Sequence, residues 1–239
     1  MNRVCLVTVA TLAFFGSGCG SYEARLQRTL ARLKERAELD KYLNPPAEGK
    51  FKEESVFLRP PKPLPGQPSE FRLSPALGDE LFDVHSSFVA VQSNGALDLG
   101  LHVLGRHKKP PKPQAKGAPA PPDQSARGDF LNDVFAELNK AHNNSAGGDP
   151  KKVKVGDNDY TRYIYEVGTT KINVYILSKK MGQEAYDLAL IWEVPPQQAT
   201  NTRGIDLCLK SIAVGPAAGR SFQSGYGDEE APVDTGGAF

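Results

Sequence analysis

Chemistry in this chain would have to come from four histidines, three cysteines and a cluster of tyrosines. His85 and His102 sit on two alternating apolar segments joined through Asn94-Gly95, a dipeptide that supplies the backbone of a tight hairpin turn. Folded across that turn, the two imidazoles fall on one face as near neighbours, with Asp98 further along. Imidazoles on adjacent strands are a good start for zinc, but catalysis by zinc needs three protein ligands and an open position. Two histidines are short of that, so the pair reads as surface imidazoles beside Val89 and Val91. A metal-assisted hydrolase using His85 and His102 is the enzymatic alternative.

Other routes to catalysis have less behind them. Cys208 lies on the apolar stripe of a helical pattern, where a thiol is a small core residue rather than a nucleophile. A Gly-x-Ser-x-Gly elbow is absent, as are a Gly-x-Gly-x-x-Gly turn and a Gly-Lys-Ser/Thr phosphate loop. Tyr160, Tyr163, Tyr165, Tyr175 and Tyr186 either cover a sheet beneath a helix or form a face that binds sugar or protein. The sequence therefore assigns no catalytic residue, no cofactor-binding residue and no metal ligand, and it calls for no cofactor. A net charge of +1 gives no general attraction to nucleic acid.

The elements that would position these groups are legible from periodicity. Leu97, Leu99, Leu101 and Val103 alternate with more polar residues, and folding Val84–Val91 back places Val84, Phe88 and Ala90 on the leucine face. Asp129 can cap a helix striped by Leu131, Val134, Phe135 and Leu138. Strands are expected at Tyr160–Val167, Lys171–Ile176 and Tyr186–Val194, then a helix from Gly204 to Val214 with Ile205, Cys208, Leu209 and Ile212 on one face. Short links between strands make them antiparallel neighbours.

The expected fold is α+β: an antiparallel sheet of about five to seven strands with packed helices, preceded by a membrane-proximal helix and interrupted by a Pro/Lys-rich loop. Residues 76–216 would form this domain, with 107–126 a disordered insert and 217–239 a disordered acidic, glycine-rich tail. Residues 44–75 read as a proline-rich linker, with edge strands at Ser55–Leu58 and Glu70–Leu73 and a polyproline run from Arg59 to Pro65. The element order loosely resembles the PsbP-like and Mog1-like α/β/α modules, a likeness that implies a fold and no function.

The front of the chain carries an address. Met1-Asn2-Arg3 precedes the apolar run Val4–Phe15, and small residues follow: the layout of a secretory signal peptide over residues 1–18. Spanning a bilayer takes roughly 20 apolar residues, so this run is too short. Gly16-Ser17-Gly18-Cys19 resembles the lipobox of bacterial lipoproteins, with Gly16 standing where that family usually has leucine. The resemblance implies cleavage before Cys19 and lipid attachment on it, hence a cell-envelope protein facing the periplasm or exterior. Gly20, in place of an aspartate, favours the outer over the inner membrane.

Behind the anchor, Leu26, Leu30, Leu33 and Ala37 recur at four- and three-residue steps among arginines, a helix ended by Asn44-Pro45-Pro46. It serves as a stalk or partner-binding helix, or it lies against its own domain. With Cys5 in the leader and Cys19 lipidated, Cys208 has no partner for an internal disulfide. The functional expectation is a membrane-anchored, non-catalytic binding or scaffolding module whose partner is an envelope protein or wall component. A purely structural tether is the other alternative.

Overall fold

The computed structural model describes residues 4–74, 80–110, 127–198 and 202–223, with side chains described from Tyr22 onward. The chain divides into two units, Met1–Lys41 and Tyr42–Phe239. The first is helical: α1 (Val4–Tyr42) runs unbroken through Cys19, and Leu26, Leu30 and Leu33 are exposed on it. It stops just ahead of Pro45, which disfavours helical backbone in the residue before it. Among the described residues, no helix is long and apolar enough to cross a membrane.

The second unit is α+β. Its elements are α2 (Lys50–Glu53), β1 (Val56–Phe57), β2 (Val84–Val91), β3 (Leu97–Lys108), α3 (Phe130–Ala141), β4 (Lys151–Val155), β5 (Asn158–Val167), β6 (Thr170–Met181), β7 (Glu184–Val194), α4 (Thr202–Ser211), β8 (Ala213–Val214) and α5 (Pro216–Gln223). Six strands form one antiparallel sheet in the order β2-β3-β7-β6-β5-β4, and β1 pairs with β8 in a small second sheet.

Both sheet faces are covered, and the two-residue period of a strand decides which residues meet which cover. Leu104, Val174, Ile176, Ala189 and Ile191 pack with Phe130, Val134 and Leu138 of α3 and with Phe71 and Phe82 from the segment before β2. Asp129 caps α3 by accepting from the Asn132 amide at 3.0 Å. Leu101, Val103, Leu188, Leu190 and Trp192 are buried on the opposite face. There the Tyr160 hydroxyl donates to the Leu209 carbonyl of α4 at 2.7 Å, and the Phe51 ring lies 5.9 Å from Phe88.

The hairpin across Asn94-Gly95 forms, and Val84, Phe88 and Ala90 lie on the leucine face as expected, Phe88 opposite Leu101 and Ala90 opposite Leu99. Four expectations need correction. The supposed linker is part of the folded unit: Leu43, Phe51, Leu58, Arg59 and Leu64 are buried, and Asn44 N–H donates to the Pro60 carbonyl at 2.8 Å. Glu70–Leu73 is no strand: the ladder stops at the isolated bridge between Ser69 and Ser87, and the stretch beyond it meets the sheet through the Arg72 amide on Ser87 Oγ and the packed Phe71 ring. The insert starts later than expected, because His107 and Lys108 still pair with Tyr186 and Ala185; residues 111–126 lie outside the described residues. Finally, the expected tail begins with a packed helix, α5, whose Phe222 ring stands 5.0 Å from Phe57; residues 224–239 lie outside the described residues.

Candidate functional site

Two places gather polar groups that could do work. The first surrounds the histidine pair. In the β2–β3 register Ser87 faces His102 and His85 faces Leu104, so both imidazoles do share a sheet face. They are not two surface rings, however, for His102 is only 1% exposed. Its Nδ1 is 2.8 Å from Ser87 Oγ, and its Nε2 is 3.0 Å from Glu193 Oε2. Glu193 comes from β7, opposite Gly100. A Cβ on residue 100 would come within 3.0 Å of Glu193 Oε2 and 3.3 Å of His102 Nε2, so the glycine leaves the space in which the pair meets.

The run continues in both directions. Glu193 Oε1 lies 3.6 Å from His142 Nε2, and His142 Nδ1 is 3.0 Å from the Tyr165 hydroxyl. Ser87 Oγ accepts the Arg72 amide at 2.9 Å. Burial pushes the Glu193 carboxyl up, but hydrogen bonds and charge from His102 and His142 outweigh it and hold the group at about 2. Carboxylate, imidazole and hydroxyl in line is the order of a hydrolase triad, here with the two ring nitrogens exchanged. Ser87 is fully buried and its oxygen is already shared between Arg72 and His102. The run thus joins β2, β3, β7, α3 and β5 rather than presenting a nucleophile. Asp98 takes no part and accepts from Gln198 Nε2 at 2.9 Å. Among the described residues no three His, Cys, Asp or Glu side chains are grouped to hold a metal ion.

The structure also places the other residues with chemical potential. Cys208 is fully buried, and burial pushes its thiol far up, which suits a core residue. The tyrosines divide between the faces: Tyr163 meets Phe135 of α3 edge-on at 5.0 Å, while Tyr160, Tyr175 and Tyr186 are buried on the α4 side. They cover the sheet and do not make one exposed face. Cys19 lies within α1.

The second place was not legible in the sequence. On the α4 side a cleft of about 570 Å³ is bounded by β5, β6, β7 and the first turns of α4. Such a volume is in the range of small-ligand pockets. Arg162, Asn173, Tyr175 and Trp192 form its floor, and Lys171, Gln198 and Asp206 are among its walls. Arg162 Nη2 donates to Asn173 Oδ1 at 2.6 Å, and its guanidinium carbon sits 5.3 Å from the Tyr175 ring centroid. Asn173 is the cross-strand partner of Trp192, so the guanidinium reaches across β6 toward the indole. Burial raises the Tyr175 hydroxyl pKa, which Arg162 lowers and Asp206 raises. The available signal was alternation: Arg162 and Asn173 occupy positions that β5 and β6 turn toward the α4 side.

No family model matches the chain, and no curated protein matches it. Solved structures include a distant likeness, a crystal structure from Bacteroides thetaiotaomicron at 13% identity and TM-score 0.31, covering 67% of this chain. The chain spans about 45% of that protein's length.

Proposed function

We propose that this chain is a lipid-anchored protein of the bacterial cell envelope, cut before Cys19 and tethered by acyl chains on that cysteine. Its α+β unit is then a non-catalytic binding or scaffolding module facing the periplasm or exterior, with the outer membrane favoured. The observation that carries the reading is where the lipobox-like Gly16-Ser17-Gly18-Cys19 stands: in a helical unit of its own, while every strand pairing among the described residues lies beyond Tyr42. Loss of residues 1–18 would break no sheet pairing. Acyl chains contribute about 0.8 kcal/mol per buried CH₂, so two or more hold a domain of this size on a bilayer. The sealed Ser87 supports a binding role over a hydrolytic one.

Metabolic labelling with an alkyne fatty acid tests the anchor. The wild-type chain should take label and sediment with membranes, and Cys19→Ala should take none and keep its leader. Equal labelling of both forms would sink the anchor. Turnover of an envelope substrate, lost in Ser87→Ala, would sink the non-catalytic reading.

A further inference from the structure

We infer that the cleft between β5–β7 and α4 is a binding site for a carboxylate carried on an uncharged polar body. The inference rests on the reading of this domain as a binding module and supplies its ligand class. Two buried donors in this one cleft have no acceptor among the described residues: the indole Nε1–H of Trp192 and the Nε–H of Arg162. Trp192 is fully buried. Buried N–H groups are nearly always paired, and one left unpaired raises the free energy of the fold until an acceptor arrives.

The charge pattern narrows the acceptor. Arg162 is half-buried, and its side chain meets the Asn173 amide oxygen and the Tyr175 ring, both uncharged. Among the described residues no carboxylate comes within ion-pairing distance of it, whereas Arg106 and Arg127 each have one, Asp133 and Asp83. A guanidinium partly withdrawn from water, with no carboxylate within ion-pairing distance, favours an anion, and its planar fork fits a carboxylate. Lys171 adds a second positive charge on the wall, and Asp206 adds one negative charge. That balance suits a single carboxylate and disfavours a multiply charged phosphate. In the rest of the lining, Thr169, Gln198 and Thr202 offer hydrogen bonds to an uncharged polar body, and Val194, Pro196 and Ile205 offer apolar contact to its carbon skeleton.

Trp192 is the chain's single tryptophan, so its emission reports on this cleft alone. Full-length protein in detergent should be titrated with glucuronate, as an acidic sugar, and with acetyl-Ala-Ala, as a peptide carboxylate. Glucose and the acetyl-Ala-Ala amide are the uncharged counterparts. A saturable emission change with either carboxylate, absent with its uncharged counterpart, is expected, and the arm that saturates names the source. In calorimetry, losing one charge-assisted hydrogen bond in Arg162→Gln should weaken binding roughly 10–100-fold. Trp192→Phe, which keeps most of the volume, should weaken it less. Both variants should keep the wild-type circular dichroism spectrum, so that lost binding is not lost folding. No saturation by either carboxylate, an equal response to the uncharged counterparts, or unchanged affinity in Arg162→Gln would overturn the site. These readouts do not depend on Cys19, so a failed anchor and a failed site are separate results.

Discussion

Glu193 is the residue on which the buried polar run turns. It contacts both His102 and His142, and Gly100 opposite makes room for it. Burial works against its charge, yet the two imidazoles hold its folded pKa at about 2 against an ordinary 4.5. A group whose pKa falls on folding adds stability above its unfolded pKa and loses that addition as pH drops toward the folded value. The shift corresponds to about 2–4 kcal/mol at neutral pH, lost between about pH 5 and pH 2. Glu193→Gln should therefore lower stability near pH 7 and flatten the acid limb of a melting-temperature profile over that window. A variant profile parallel to wild type across pH 5 to 2 would show that Glu193 is not the group responsible. Sequence reading found His85 and His102 on one face, but not their partners. Ser87, His102 and Glu193 converge only because β7, remote in sequence, lies beside β3. Strand order across a sheet is not written in local periodicity.

Elements with a strong period were legible: the β2–β3 hairpin, α3, β5 to β7 and α4. Those that were missed are short or lack an apolar period. β8 has two residues, below the length at which alternation can be recognised, whereas β1, equally short, falls inside the edge strand expected at Ser55–Leu58. β4, Lys151–Val155, reads as a charged run and has only Val153 and Val155 partly buried. Its lysines fit its position. β4 is the outermost strand, and an unpaired edge is a template for another chain unless charge blocks it. The opposite edge, β2, is covered where Ser69 exchanges backbone hydrogen bonds with Ser87 at 2.8 and 3.1 Å. The pair Lys152→Val and Lys154→Val should therefore leave the fold intact while promoting self-association, read as concentration-dependent sedimentation at low salt. A double variant that stays monomeric at the concentrations where wild type does would show that the edge is protected by something other than these charges.

At the scale of the whole unit, the chain closes by bringing distant segments together. Val56 pairs with Val214 and Phe57 with Ala213, and the Gly215 amide donates to the Ser55 carbonyl at 2.8 Å. Gly215 has φ +64, and a Cβ there would fall 2.8 Å from Met181 Sδ and 3.2 Å from the Tyr186 ring, so the turn into α5 needs glycine. α5 then lays Phe222 edge-on against the buried Phe57. Gly215-Pro216, which reads as a stop signal, and a length of only eight residues hid this helix, because its stability comes from docking on β1 and not from its own propensity. Two truncations separate the contribution of α5 from that of residues 224–239. Ending the chain after Gln223 keeps every contact of α5 among the described residues, so the melting temperature should stay within a degree or two of wild type. Ending it after Gly215 removes the cover from Phe57, a loss of about 2–4 kcal/mol that corresponds to a fall of roughly 5–15 °C in a domain of this size. If the two truncations melt together near wild type, α5 adds nothing to the fold and the tail begins where its composition suggested. If they melt together well below it, residues beyond Gln223 carry contacts of their own. Only a separation between them makes α5 the last stabilising element among the described residues, with Phe222 on Phe57 holding it to β1.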